Sequence, residues 1–526
     1  MNRVDTGLLV IALTLATAVG ARRLSTPLPI VLAIVGIIAG AMWRFVPGLA
    51  PVTVPPDRVL FIFLPPLLTT AAYALPLSAF RRNIVPIALL AVGLVLATMA
   101  TAAVVAHVLI GLPWAAAFVL GAIVAPPDPV AATTVGSKSG LAHRLVIILE
   151  GEGMVNDAIA IVAYRLAVVA AVTGGFTWTG AGLAVLWEAP AGVAVGLAAG
   201  YAVAPLRRRL DHVTLEAGIS LFLPYVTYEI ADRIGASAVL AVVTLGFILQ
   251  RQETTASTAA VRLAARTVWA SLRFASTALV FLLLGLLIGE ATSTRVSSSL
   301  VLAGVAVTVA VIALRFLWIY TVPNLRGLRS GARSGTAPSP REAAVLGWAG
   351  MRGVVSLALA LALPALPSNG NGRPRDSVLF ITLIVIVGTL VLQGVTLLPL
   401  VTWLGVGDPD REAHDERRAR ARARRAGLAA LDRTVHSDPS LAADCRALAE
   451  RIADGSVGIA APGTLGGRPD KERPLASALE AERIAVMHMR DTGQIGESVA
   501  ERLVTEVDVD SMTVSGTAAR LTGSDS

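Results

Sequence analysis

This chain of 526 residues is poor in the side chains that most enzyme and binding classes rely on. Its single cysteine, Cys445, excludes a disulfide framework and a thiolate metal cluster. The six histidines are scattered, and no His-Glu-x-x-His or other nucleophile–base or metal constellation appears, which removes support for an enzyme and for any resident cofactor. Charged residues make up only 15% of the chain, where a soluble domain carries about 25%. They also concentrate after about residue 405, so the part before it is more apolar still. Lysine is confined to Lys138 and Lys471, and the formal charge of +8 is therefore carried by arginine. A nucleic-acid partner is not expected. The arginines stand in short clusters between apolar runs, the pattern that orients a membrane protein.

Long apolar runs are abundant, and the mean hydropathy is +0.71. A bilayer core takes about 20 apolar helical residues. On that measure the spans fall near 7–21, 28–43, 59–76, 84–110, 114–133, 144–170, 184–205, 214–231, 236–250, 271–289, 299–322, 343–364 and 378–404. The fold class expected is all-α and polytopic, with about thirteen transmembrane helices. The first run begins with Asp5, lacks a small-x-small cleavage site and is followed by more membrane, so it is expected to be retained rather than cleaved as a signal. About 16 basic residues fall in the loops after odd-numbered spans, against about 7 on the other side. The positive-inside rule then places the N-terminus outside and the C-terminal tail in the cytoplasm of a multi-pass protein of the cell membrane.

Residues 1–404 accordingly form the expected membrane domain and residues 405–526 a cytoplasmic tail. The dense run from Arg411 to Arg425 suits either the anionic inner leaflet or a solvated mixed-charge helix. Gly455 to Pro474 has the composition of a linker. Leu479, Ile484, Met487, Ile495, Val499 and Leu503 recur at helical spacing, which predicts a helical hairpin packed on itself or on a second copy. Residues from about Thr513 have the composition of a disordered end.

The chemistry lies in charges placed at membrane depth, where a carboxylate costs several kcal/mol and marks function by default. In Gly121-Ala-Ile-Val-Ala-Pro-Pro-Asp-Pro-Val130, the prolines Pro126, Pro127 and Pro129 surround Asp128. Proline removes a backbone donor and clashes with the preceding turn, so this helix must break and leave free carbonyls beside a carboxylate. Broken helices of this kind mark ion sites in transporters; the plainer reading is a proline kink with Asp128 capping a half-helix. In Glu150-Gly-Glu-Gly-Met-Val-Asn-Asp157, one face presents Glu152 and Asn156 and the adjacent face Gly153 and Asp157. An aspartate there holds a proton or a small cation, and exclusive binding of one or the other is what an exchanger requires; the plainer reading is a structural aspartate buried as a salt-bridge partner. In Trp348-Ala-Gly-Met-Arg-Gly-Val-Val-Ser356, Arg352 needs an anionic partner, and Glu152 is the candidate for a structural latch.

These segments, with Phe63-Leu-Pro-Pro-Leu-Leu68, resemble the sodium/proton exchangers of the monovalent cation:proton antiporter-1 family. The matching order is Leu64-Pro-Pro66, Asp128-Pro129, Glu152 with Asn156-Asp157, and Arg352-Gly353. Asp232 with Ala238-Val-Leu-Ala241, and the tail from Glu480 to Gly493, add to it. The resemblance implies an inverted-repeat fold with broken helices at spans five and twelve, a core domain beside a dimerisation domain, elevator-like alternating access and a homodimer. It implies that Asp157 alternates between a monovalent cation and H⁺, with Asp128 beside it. The Asn156-Asp157 pair implies electroneutral exchange serving pH and sodium homeostasis. Sodium is the foremost cation, with lithium and potassium also open. Two positions depart from the family pattern: Thr70 replaces an acid after the double proline, and Gly153 replaces a serine one turn before the key aspartate. A cation channel, with Asp128 and Asp157 only lining a pore, is the competing class.

Other features read as structural. Gly192, Gly196 and Gly200 suit helix packing or a dimer contact. His107 reads as a satisfied histidine, Arg165 as reaching Glu229 or a headgroup, and Glu229 with Asp232 as a structural acid pair.

Overall fold

A computed structural model describes residues 3–21, 28–43, 45, 56–75, 77–128, 141, 143–175, 178–207, 213–256, 259–291, 298–330, 338–367, 374–406, 409–453 and 469–514. Its described elements are all helical. Apolar sequence in lipid can satisfy its backbone only within helices or closed barrels, and the alanine- and leucine-rich runs favour the helix. The membrane part contains α1 (Arg3–Ala21), α2 (Leu28–Trp43), α3 (Pro56–Ala74), the short α4 (Leu77–Arg82), α5 (Ile84–Ile110), α6 (Trp114–Val124), α7 (His143–Thr173) and α8 (Trp178–Arg207). It continues with α9 (Val213–Arg233), α10 (Ala238–Ala256), α11 (Ala259–Ala291), α12 (Ser298–Ser330), α13 (Pro340–Trp348), α14 (Val354–Leu361) and α15 (Pro374–Leu404). Helix α5 contains a π-helical turn at Leu89–Leu94, and α15 another at Gly388–Gln393.

Five stretches are long and apolar enough to cross a bilayer: Ile84–Ile110, Arg144–Thr173, Leu186–Arg207, Ser298–Val322 and Pro374–Leu404. Shorter apolar helices accompany them. Their outward faces carry large exposed apolar side chains, such as Leu8, Leu183, Trp187, Phe222 and Leu302, as a lipid-facing surface requires. The apolar stretch of α12, Ser298–Val322, agrees with the expected span 299–322. Two helices run on past their expected membrane spans, because arginine-bearing ends continue them: α11 begins at Ala259 and α12 ends at Ser330.

Packing sorts these helices into two blocks. In one, α2 lies along α11, α1 joins both, and α3, α8 and α9 pack around α10. In the other, α5 packs on α6 and α12, α6 on α7, and α15 on α12 and α14. The blocks touch where α14 meets α3 and α11, and where α7 meets α10. The α2–α11 contact depends on small residues. A side chain at Gly36 would meet the backbone of Gly285 at 2.8 Å, and one at Gly285 would meet the backbone of Gly36 at the same distance.

The tail forms α16 (Pro409–Ser437), α17 (Ala442–Ala453), α18 (Pro469–Asp491) and α19 (Glu497–Val514). The hairpin α18–α19 packs on itself and on α16 and α17. Leu479, Ile495, Val499 and Leu503 are buried as the spacing predicts, whereas Ile484 faces outward. Residues 469–474 belong to α18, not to a linker; the rest of that stretch, and residues 515–526, lie outside the described residues. Helix α16 buries Ala419 and Ala423 and leaves Arg417, Arg418, Arg422 and Arg425 exposed. Arg420 pairs with Glu506 at 2.5 Å and Glu416 at 3.0 Å. The bundle rests on the membrane domain through α19 against α11 and α18 against α4, where Arg82 Nη1 donates to the Thr492 carbonyl at 2.9 Å.

Burial pushes the Glu482 carboxyl up to about 7, with Arg424 opposing it and Asp510 reinforcing it. Burial and the Glu506 charge likewise push Asp510 up to about 6.

Two outcomes follow from this packing. Gly285→Val should destabilise the protein by about 1–3 kcal/mol through overpacking, lowering its thermal transition in detergent, while Gly20→Val, with open space at that position, leaves it unchanged. The raised Glu482 value means that the unfolded tail releases this proton first. Tail stability should therefore fall as pH rises from 4.5 to about 7 and level off above. Hydrogen exchange in α18 and α19, corrected for intrinsic rates, reads this slope, and Glu482→Gln should flatten it.

Candidate functional site

Two interrupted helices meet at the centre of the second block. Helix α6 stops at Val124, and Ala125 to Asp128 leave the helix at Pro126 and Pro127. Opposite, α13 ends at Trp348 and α14 begins at Val354, with Ala349 to Gly353 unwound between them. The interruptions complete each other. The Asp128 backbone N–H donates to the Met351 carbonyl at 2.6 Å, and the Val354 N–H lies 3.4 Å from Asp128 Oδ2. Gly353 lies directly against the Asp128 carboxylate, so only a residue without Cβ fits there. The negative carboxylate thus sits at the positive N-terminus of α14.

Arginine serves the opposite ends. Arg352 Nε donates to the Val124 carbonyl, the last of α6, at 3.0 Å, its Nη1 donates to the Gly350 carbonyl, and its backbone N–H donates to Thr389 Oγ1 at 3.1 Å. Arg315 Nε donates to the Leu346 carbonyl near the end of α13 at 3.0 Å. Cationic groups thus meet the carbonyl ends of both half-helices.

The expected Arg352–Glu152 latch is corrected. Glu152 is held by Arg315, in a fork at 2.5 and 2.8 Å, with both residues 1% exposed. Arg352 is engaged by carbonyls instead, because the broken α6 offers acceptors that a continuous helix would not. The sequence held the signal for Arg315: it stands alone in an apolar span, where an arginine requires an anion.

The remaining expected residues divide as follows. Asn156 Nδ2 donates to the Pro127 carbonyl at 3.2 Å, joining α7 to the break, and its Oδ1 is buried with no partner. Asp157, one residue on, is 7% exposed and makes no hydrogen bond or ion pair among the described residues; Asp128, 9% exposed, lies within electrostatic reach. Gly153 is buried one turn before Asp157. Thr70 is buried on α3, its hydroxyl turned to the Leu67 carbonyl at 3.0 Å. Pro129 lies outside the described residues.

The features read as structural also find partners. His107 Nδ1 lies 2.8 Å from the Leu112 carbonyl and its ring stacks on Trp114. Arg165 pairs with Asp232 at 2.8 Å and Glu229 with Arg233 at 2.7 Å, so the two acids are separately partnered. Gly192, Gly196 and Gly200 pack against Ser237, Ala241 and Ile248 near and along α10, within the chain.

The electrostatic outcome is specific. Among the described residues, each buried arginine of the crossing is occupied, one by Glu152 and the other by carbonyls, and Asp157 has an anionic neighbour and no cation. A buried carboxylate in that state needs a positive partner from outside. Asp157, Asp128 and the Asn156 amide offer oxygen atoms, a donor chemistry that suits a hard cation or a proton and not a soft metal.

Arg315→Ala strands Glu152 in the core, an expected loss of about 3–5 kcal/mol. The thermal transition in detergent should fall steeply, whereas the paired change Arg315→Met with Glu152→Leu should recover most of it.

Residues 9–403 match the family model described as the transmembrane sodium/hydrogen exchanger. A sodium, potassium, lithium and rubidium/H⁺ antiporter of Bacillus pumilus is 31% identical over 391 residues, 72% of this chain and 58% of that protein. The chain therefore spans little more than half the length of that relative. An uncharacterised Na⁺/H⁺ exchanger of Mycobacterium tuberculosis is 30% identical over 525 residues, 95% of this chain and 94% of the other. The fold is similar to the solved sodium proton antiporter of Methanocaldococcus jannaschii, with a TM-score of 0.59 at 20% identity, covering 77% of this chain and 98% of that one.

Proposed function

The chain belongs to the transmembrane sodium/hydrogen exchanger family, and on that premise we propose that it exchanges a monovalent cation for H⁺ at Asp157. The observation that carries this reading is a buried aspartate with no counter-charge among the described residues, near a second carboxylate and an amide oxygen with no hydrogen-bond partner there. A proton and a cation then compete for one carboxylate. Because either one satisfies Asp157 and both together do not fit its charge, occupancy by one releases the other. That competition couples the two fluxes without any covalent step. Asp128 serves as second ligand, its own charge steadied by the N-terminus of α14. Asn156 and the Pro127 region supply neutral oxygens.

The two packing blocks give this site a means of alternating access. The site lies wholly in the block of α5–α7 and α12–α15, so a shift of that block against the other carries it across the bilayer intact. Sodium is the favoured cation, with lithium and potassium also open. Exchange of one cation for one proton, a homodimer, and a cell-membrane protein with its tail in the cytoplasm complete the proposal. Obligatory proton coupling separates this reading from a channel.

Everted vesicles carrying a pH-sensitive dye supply the test. Addition of Na⁺, Li⁺ or K⁺ should release protons from loaded vesicles. Asp157→Asn should abolish the response in folded protein, since an amide has no exchangeable charge, and Asp128→Asn should reduce it at least tenfold. Wild-type exchange by Asp157→Asn rejects the site, and a cation flux with no proton movement supports a channel.

A further inference from the structure

Gln393 is the polar side chain whose burial is hardest to explain by packing alone. It is 0% exposed, and neither its Nε2 nor its Oε1 has a hydrogen-bond partner. Each such amide group left dry costs about 1–3 kcal/mol, and an apolar side chain of the same size would avoid that cost. The residue ends the π-helical turn Gly388–Gln393 of α15, and π turns concentrate at functional sites.

That turn is laid along the unwound crossing segment. At one end Thr389 Oγ1 accepts from the Arg352 backbone N–H at 3.1 Å. At the other, a Cβ on Gly394 would stand 3.4 Å from Met351 Sδ. Gln393 comes from the stretch of chain between these two contacts. The crossing segment has unmet needs of its own. Among the described residues, the backbone N–H groups of Gly350, Met351 and Gly353 find no hydrogen-bond acceptor. A buried donor–acceptor amide therefore belongs to the very turn that braces a backbone with free donors.

We propose that Gln393 is a positioning residue for exchange, holding water against the unwound segment Ala349–Gly353 and so fixing where Gly353 and the start of α14 meet Asp128. An amide suits this task because it accepts and donates at once and carries no charge to compete with Asp157. A water held between this amide and the free N–H groups of the segment would have the two polar partners that are the least a buried water needs. The side chain acts through the backbone of the crossing segment and does not touch the cation. The inference rests on the proposed exchange at Asp157 for its transport readout, but not for its structural one.

The test compares Gln393→Met, which keeps volume and removes both polar groups, with Gln393→Asn, which keeps the amide. Thr382→Val is the control: Thr382 is also fully buried on α15 with an unpartnered hydroxyl, but lies before the π turn. Thermal transition, the KM and Vmax for Na⁺ in reconstituted vesicles, the pH profile, and hydrogen exchange of the peptide over residues 345–357 are measured for each. The expected result is that Gln393→Met melts no lower than wild type, yet loses at least tenfold in Vmax/KM with a shifted pH profile. Amide exchange over 345–357 should be at least threefold faster in this variant. Gln393→Asn should recover part of both losses, and Thr382→Val should behave as wild type. Wild-type kinetics and amide exchange in Gln393→Met overturn the proposal. So does a lower melting point with unchanged kinetics, which would make the amide purely structural. If the wild-type protein moves no protons with any cation, the exchange reading fails, while hydrogen exchange at 345–357 still decides the positioning role.

Discussion

Two helices can be interrupted at the same depth of a membrane only if each supplies what the other has lost. That mutual completion is the constraint on which this structure depends. The hydrogen bond from Asp128 to Met351, and the reach of Arg352 back to Val124, turn two breaks into one crossing. Lipid offers no alternative partner, so neither break would be tolerable alone. The negative end of α6 receives a guanidinium, the positive end of α14 receives a carboxylate, and the half-helices become the fixed dipoles of the site.

From this follows a division of labour among the buried charges. Glu152 and Arg315 neutralise each other in a closed fork and hold α7 to α12. Arg352 neutralises backbone rather than acid. With both arginines occupied, Asp157 has no counter-charge among the described residues, and that deficit is the physical basis of the proposed exchange. A further salt bridge to Asp157 would steady the core and remove its need for a transported ion.

Much of this was legible from residues alone. Apolar runs and their arginine-marked ends gave the helices of the membrane domain, since a bilayer imposes length and polarity on any segment that crosses it. Pro126, Pro127 and Pro129 announced the first break, because proline cannot continue a helix in good order. The tail hairpin followed from helical spacing, apart from Ile484, which keeps the period but lies on the face that no neighbour covers. The arginine partner was misread because sequence order shows that a buried arginine needs an acceptor but not which acceptor is near. Arg315 and Arg352 both qualified for Glu152, and only the packing of α12 against α13, which brings Arg315 to Leu346, separates them.

The sequence by itself determined that the chain is helical, where it breaks and which charges lie at depth, because these depend on local chemistry set against a fixed apolar solvent. Only the tertiary structure decided which charges cancel and which remain. Arg352 turns from acid to carbonyl, Asp128 comes to rest on Gly353, Asp157 has no partner among the described residues, and the amide of Gln393 falls in the turn beside the crossing. Each of these outcomes joins segments far apart in the chain, and the relative placement of two half-helices is fixed by packing rather than by any pattern along one of them.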